Sequence, residues 1–111
     1  MTARRIAAVL GAMAVLLGAF AAHSLKDRLD ATQLDWWRTA ALYHLLHAVA
    51  ILGSGKSDGR ASASTWAFVA GIALFAGSLY AMALGAPRWF GAVTPLGGVA
   101  FIAGWLLLLR K

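Results

Sequence analysis

The sequence predicts an all-α protein, an integral membrane four-helix bundle with short loops, and three observations carry that prediction. Of its 111 residues 61% are hydrophobic and only 13% charged, and the mean hydropathy is +0.74, whereas about a quarter of a soluble domain is charged. The apolar residues fall into four long runs separated by short polar stretches. A chain this short cannot hide so much apolar surface in a core of its own, so a bilayer must cover the remainder. The expectation is one membrane domain over residues 1–111, with helices near 4–25, 31–52, 65–85 and 94–109.

The first helix follows from Ile6 to Ala22, a run without charge that His23, Ser24 and Leu25 extend, long enough at ~1.5 Å per residue to cross a ~30 Å hydrocarbon core. Its opening imitates a secretory signal, with Arg4-Arg5 ahead of the apolar run and Ala19-Phe20-Ala21 as a small-x-small pattern. The second helix opens at Asp30, which with Gln33 forms a capping-box signature. Trp36 and Trp37 mark a headgroup level. The run from Thr39 to Leu52 is apolar apart from His44 and His47, and Gly53 closes it, making this the least hydrophobic of the four. Gly53 to Ser64 has the composition of an exposed, simple loop.

The third helix runs from about Thr65 to Leu84 without a charge, and Gly85-Ala86-Pro87 stops it because proline cannot continue the hydrogen-bond ladder. Arg88, Trp89 and Phe90 form another interfacial anchor. Thr94 is placed to cap a fourth helix, with Pro95 at its first position, where a missing N–H costs nothing.

Lipid gives helices no hydrophobic reason to associate, so small residues that permit close approach mark packing faces. On the first helix Ala7, Gly11, Ala14, Gly18 and Ala21 form such a stripe opposite Val9, Leu16 and Phe20. Ala70, Ala73, Gly77 and Ala81 do so on the third, where Gly71 adds another thin place, and Gly97, Gly98 and Gly104 serve the fourth.

The net charge of +6 does not indicate nucleic acid, because the cations stand at the ends of apolar runs, where they meet phospholipid headgroups. Four crossings put Arg4, Arg5, Lys56, Arg60, Arg110 and Lys111 on one side and Lys26, Arg28, Arg38 and Arg88 on the other. The positive-inside tendency then favours both termini in the cytoplasm. Without cysteine there is no disulfide framework, thiolate metal site or cysteine nucleophile.

Histidines within or beside a membrane span are functional suspects, because polar groups there are costly. His44 and His47, three apart on one helix, could together ligate a metal or separately hold haem iron. His23 lies at a different depth from His47, which argues against a three-histidine zinc site. The plainer reading has His44 and His47 hydrogen-bonding across helices to Tyr43, Tyr80, Ser78, Thr94 or a backbone carbonyl. Gly55-Lys56-Ser57 ends like a phosphate-binding loop, but Ala50 stands where that motif needs glycine and no strand precedes it. Asp27, Asp30 and Asp35 read as members of a solvated loop in which Asp35 and Arg38 can pair. There is no Ser-His-Asp order, no zincin pattern and no glutamate, so no catalytic constellation emerges.

Gly18-Ala19-Phe20-Ala21-Ala22-His23-Ser24-Leu25, Tyr43-His44-Leu45-Leu46-His47-Ala48, Gly71 through Tyr80 and Thr94-Pro95-Leu96-Gly97-Gly98 together resemble the domain-of-unknown-function 423 family, the small membrane proteins similar to transmembrane protein 256. The resemblance spans nearly the whole chain and implies four membrane helices, no established biochemical activity and retention of the first helix. By it His23, His47, Gly77 to Tyr80 and Thr94-Pro95 match the family's motifs. Glycine commonly stands at Ser24 and glutamine at His44, which weakens any role needing His44 as an essential ligand.

The resulting expectation is a non-enzymatic structural or accessory component of a membrane assembly in the bacterial plasma (inner) membrane. It contacts lipid and associates with itself or a larger complex, and no cofactor is predicted. The alternative is a haem-, metal- or proton-handling protein built on His47 with His23, His44 or Tyr80.

Overall fold

The computed structural model describes residues 1–110, and among them it contains four helices and no strand. These are α1 (Ala3–Leu25), α2 (Ala31–Leu52), α3 (Ala63–Ala83) and α4 (Arg88–Arg110). α1, α3 and α4 are each long and apolar enough to cross a membrane. α2 has the length, but its first turns carry Gln33, Asp35 and Arg38.

Local chemistry explains the helix ends. Thr2 caps α1 by accepting from the Arg5 N–H at 3.2 Å. At the start of α2 Asp30 accepts from Gln33 N–H at 2.8 Å, while the Gln33 side chain accepts from Asp30 N–H at 3.0 Å, which completes the expected capping box. α3 begins two residues earlier than expected, because Ser62 and Thr65 form a second, unforeseen capping box. Gly85, at φ +109, takes the chain out of α3 through a conformation open to glycine.

Three features depart from regular helix. α1 widens to π geometry over Ala21–Leu25 and α3 does so over Ile72–Ala76. α4 begins as a 3₁₀ turn, Arg88–Ala92, before its α-helical part, Thr94–Leu107. Thr94 does not cap that part; its hydroxyl turns to Ser78 of α3 instead.

α1 packs on α2, α2 on α3 and α3 on α4. Ser62, Ala63 and Ser64 share a depression with Leu107 and Arg110, while Asp30 and Trp36 share one with Met82 and Arg88. Successive helices therefore alternate in direction. The long dimension is 45 Å, comparable to a bilayer of about 40–45 Å with its headgroup layers. The main core joins Ile6 and Ala7 of α1, Ala40 and Ile51 of α2, Phe68, Ile72 and Leu79 of α3, and Phe101 of α4. Large apolar side chains such as Leu16, Leu46, Trp66 and Ile102 face outward.

Three expectations need correction. The Gly53–Ser64 segment is not a simple exposed loop. Ser54 is fully buried and its hydroxyl donates to Ile51 O at 2.7 Å, Thr65 Oγ1 lies 2.6 Å from it, and Ser62 donates to Ser54 O. The loop also holds the N-terminus, through Ala3 N–H to Gly59 O at 3.0 Å and Ala61 N–H to Met1 O at 3.2 Å. On α3 the small-residue stripe points the wrong way: Ala70 and Ala73 are exposed, and the buried face is Phe68, Gly71, Ile72, Ala76 and Leu79. Asp35 and Arg38 form no ion pair.

The glycines divide similarly. A Cβ on Gly97 would stand 2.2 Å from the Phe75 backbone nitrogen, and on Gly71 or Gly104 it would enter the Phe101 or Phe68 ring. One on Gly11 would make an ordinary 3.9 Å contact with Ala48. At Gly18, Gly77 and Gly98 an added Cβ would meet no neighbouring atom of the described residues within 4 Å.

Candidate functional site

In an apolar interior every polar side chain must find a partner or bear the cost of lacking one. The buried polar side chains are His44, His47, Ser54, Ser64, Thr65 and Ser78. Four of them, His44, His47, Ser64 and Ser78, bond to another helix.

His47 sits at the meeting of α2, α3 and α4. Its Nδ1 lies 2.8 Å from the Tyr43 carbonyl and its Nε2 accepts from the Trp105 indole N–H at 3.1 Å. A carbonyl can only accept and an indole N–H can only donate, so these two partners fix a neutral ring with its proton on Nδ1. The ring stacks on Phe101 at a centroid separation of 3.6 Å and meets Phe68 at 5.6 Å. With both nitrogens engaged, no lone pair is left for an incoming ligand.

His44, one turn earlier, points elsewhere. Its Nδ1 is 3.0 Å from the Tyr80 hydroxyl of α3, and Tyr80 in turn meets Trp37 edge-on at 4.7 Å. The imidazole lies near the Leu10 carbonyl of α1, yet Nε2 makes no hydrogen bond. Among the described residues it is the one buried side-chain polar atom without a partner.

The structure therefore separates the candidate residues. His23 is exposed on the π turn that ends α1. Tyr43 contributes its carbonyl to His47 and packs its ring on Phe75 at 4.7 Å. Ser78 donates to Phe75 O at 3.1 Å, so the 2.5 Å contact with Thr94 has the threonine hydroxyl as donor. Among the described residues no group of three His, Asp or Glu is arranged to hold a metal.

Other linking side chains escaped the reading of the sequence. Trp105 is the partner of His47, Ser64 donates to Gly104 O at 3.0 Å, and the Trp37 indole donates to Leu17 O of α1 at 2.7 Å. Trp37 read as an interfacial anchor, yet it is 3% exposed and its N–H serves α1. A signal for Trp105 did exist, since Gly97, Phe101, Gly104 and Trp105 follow one helical face by their spacing.

Apolar exteriors on membrane-length helices, with interior polar groups that bind the helices to one another, define a small helical membrane protein. The chain belongs to the family described as "Protein of unknown function (DUF423)", whose profile matches residues 17–98. It is 43% identical to a UPF0382 membrane protein of Staphylococcus saprophyticus over 109 residues, covering 91% of each chain. It is 39% identical to the UPF0382 membrane protein YwdK of Bacillus subtilis, covering 94% of this chain and 89% of that one. It is 43% identical to the UPF0382 inner membrane protein YgdD of Escherichia coli, covering 93% and 82%. No solved structure matches it.

Proposed function

We propose that this membrane protein is a four-helix bundle whose helices all cross the bilayer, and that it acts as a non-enzymatic structural or accessory component of a membrane assembly. The observation that carries the reading is His47, whose two ring nitrogens both serve helix-to-helix or backbone contacts, so that the intramembrane residue best placed for chemistry is occupied in holding α2 to α4.

Although α2 is the most polar helix, its outward residues Leu42, Leu45, Leu46, Val49 and Leu52 are apolar and exposed, which supports a fourth crossing. The end bearing the N-terminus has Arg4, Arg5, Lys56, Arg60 and Arg110 against Asp58 alone. The other end has Lys26, Arg28, Arg38 and Arg88, one cation fewer than the five just named. That asymmetry supports cytoplasmic termini, and the inner-membrane name of the Escherichia coli relative supports the bacterial plasma membrane as the location.

The reading includes no cofactor. Purification in mild detergent, followed by light scattering and identification of what co-elutes, tests it. An oligomer of this chain or a reproducible membrane-protein complex is expected, and a monomer alone counts against the assembly role. A haem band or stoichiometric metal in the same preparation overturns the cofactor-free reading.

A further inference from the structure

Two depressions on the outer surface of α1 meet and share Arg4 and Ala8. The first, about 620 Å³, lies between the opening turn of α1 and the α2–α3 loop, with Thr2, Arg5, Asp58 and Gly59 as its other walls. The second, about 380 Å³, is an apolar groove that continues along the α1–α2 seam past Gly11, Ala12 and Val15, with Ala48 and Val49 opposite. Alanine and glycine on the α1 side leave it open; bulkier residues there would fill it.

Among the described residues neither the Arg4 nor the Arg5 guanidinium at its mouth has a hydrogen-bond or ion-pair partner. Asp58, the carboxylate among the described residues that line the depression, accepts from the Arg60 backbone N–H at 3.0 Å and so is tied to its own loop. Two cations against one engaged anion leave the cavity attractive to a phosphate, whose oxygens suit guanidinium forks. Length matches as well. From Arg4 to Val15 the groove follows eleven residues of helix, about 16 Å at helical rise, close to the roughly 15 Å of hydrocarbon in one leaflet.

We infer that this composite surface is a binding site for one anionic phospholipid, its phosphate held by Arg4 and Arg5 and one acyl chain lying in the groove lined by Ala8, Gly11, Ala12 and Val15. The inference rests on the membrane-crossing arrangement proposed above. It adds selectivity for an anionic headgroup, fixed to one seam and one leaflet.

The test is native mass spectrometry of the full chain in mild detergent, titrated with phosphatidylglycerol or with phosphatidylcholine. One phosphatidylglycerol should bind with a preference of about tenfold, in line with the attraction of basic side chains for anionic lipid. The Arg4→Gln/Arg5→Gln variant should lose that preference. Ala12→Leu, which obstructs the groove and leaves every charge in place, should weaken phosphatidylglycerol binding. Arg110→Gln, at the same end but outside both depressions, should keep the preference. Equal binding of the two lipids overturns the site, as does a preference that survives the double substitution or falls equally in Arg110→Gln. Cysteine-labelling topology, measured separately, tells a failure of the site from a failure of the membrane arrangement.

Discussion

The Trp105 indole donates to His47 Nε2 at 3.1 Å while the same imidazole stacks on Phe101 at 3.6 Å, so one histidine of α2 grips α4 by edge and by face. A double-mutant cycle on His47→Ala and Trp105→Phe, read by thermal unfolding in detergent, should give a coupling of about 0.6–1.7 kcal/mol, between the average and the maximum for interhelical hydrogen bonds in a membrane protein. Zero coupling would show that the pair does not hold the helices.

The glycines of α4 should differ sharply although two are adjacent. A Cβ at position 97 meets backbone of α3 at 2.2 Å, which cannot rotate away, so Gly97→Ala should destabilise by about 3 kcal/mol, as overpacking does. Gly98→Ala meets nothing within 4 Å and removes a poor helix former worth about 1 kcal/mol, so its unfolding temperature should not fall. Equal effects from the two would contradict the α3–α4 interface.

Thr65 accepts from the Ser62 N–H at 3.0 Å in the box that caps α3, and its hydroxyl joins the buried hydroxyl of Ser54 at 2.6 Å. Thr65→Val keeps the shape and removes the hydroxyl's hydrogen bonds to Ser54 and Ser62, with an expected loss of about 1–3 kcal/mol. Amide exchange should quicken over residues 53–62 before it does elsewhere. Unchanged exchange there would mean that the hydroxyl network does not order the connection.

The chain lacks cysteine, which makes single-cysteine topology mapping direct. With cytoplasmic termini, Asp27→Cys should react with an impermeant thiol reagent added outside intact cells, and Ser57→Cys should react only after the membrane is opened. Leu46→Cys and Ile102→Cys, outward residues far from both ends, should resist. Labelling of Asp27→Cys and Ser57→Cys from the same side would mean that α2 does not cross.

Helix ends were largely readable from sequence because capping is local chemistry: Asp30 with Gln33 and Gly85 before Pro87 act within one turn. Ser62 with Thr65 is equally local, but surrounding Gly and Ser disguised it as loop. The inward face of α3 was unreadable for a different reason. Lipid and protein interior are both apolar, so Ala70 and Ala73 on the exposed side carry no polarity mark to distinguish them from Ala76 on the buried one. The His44–Tyr80 pair lay among the possibilities the residues offered. The Trp105–His47 pair did not, because tryptophan in a membrane helix reads as an interfacial anchor until its neighbours are known.

The tie between the first residues and Gly59 and Ala61 orders events during synthesis. Met1 leaves the ribosome long before residue 59 does, so the N-terminus has nothing to hold until more than half the chain has emerged. Once that loop arrives, its hydrogen bonds tie the start of α1 to the segment that follows α2, opposite the connection that already joins the two helices.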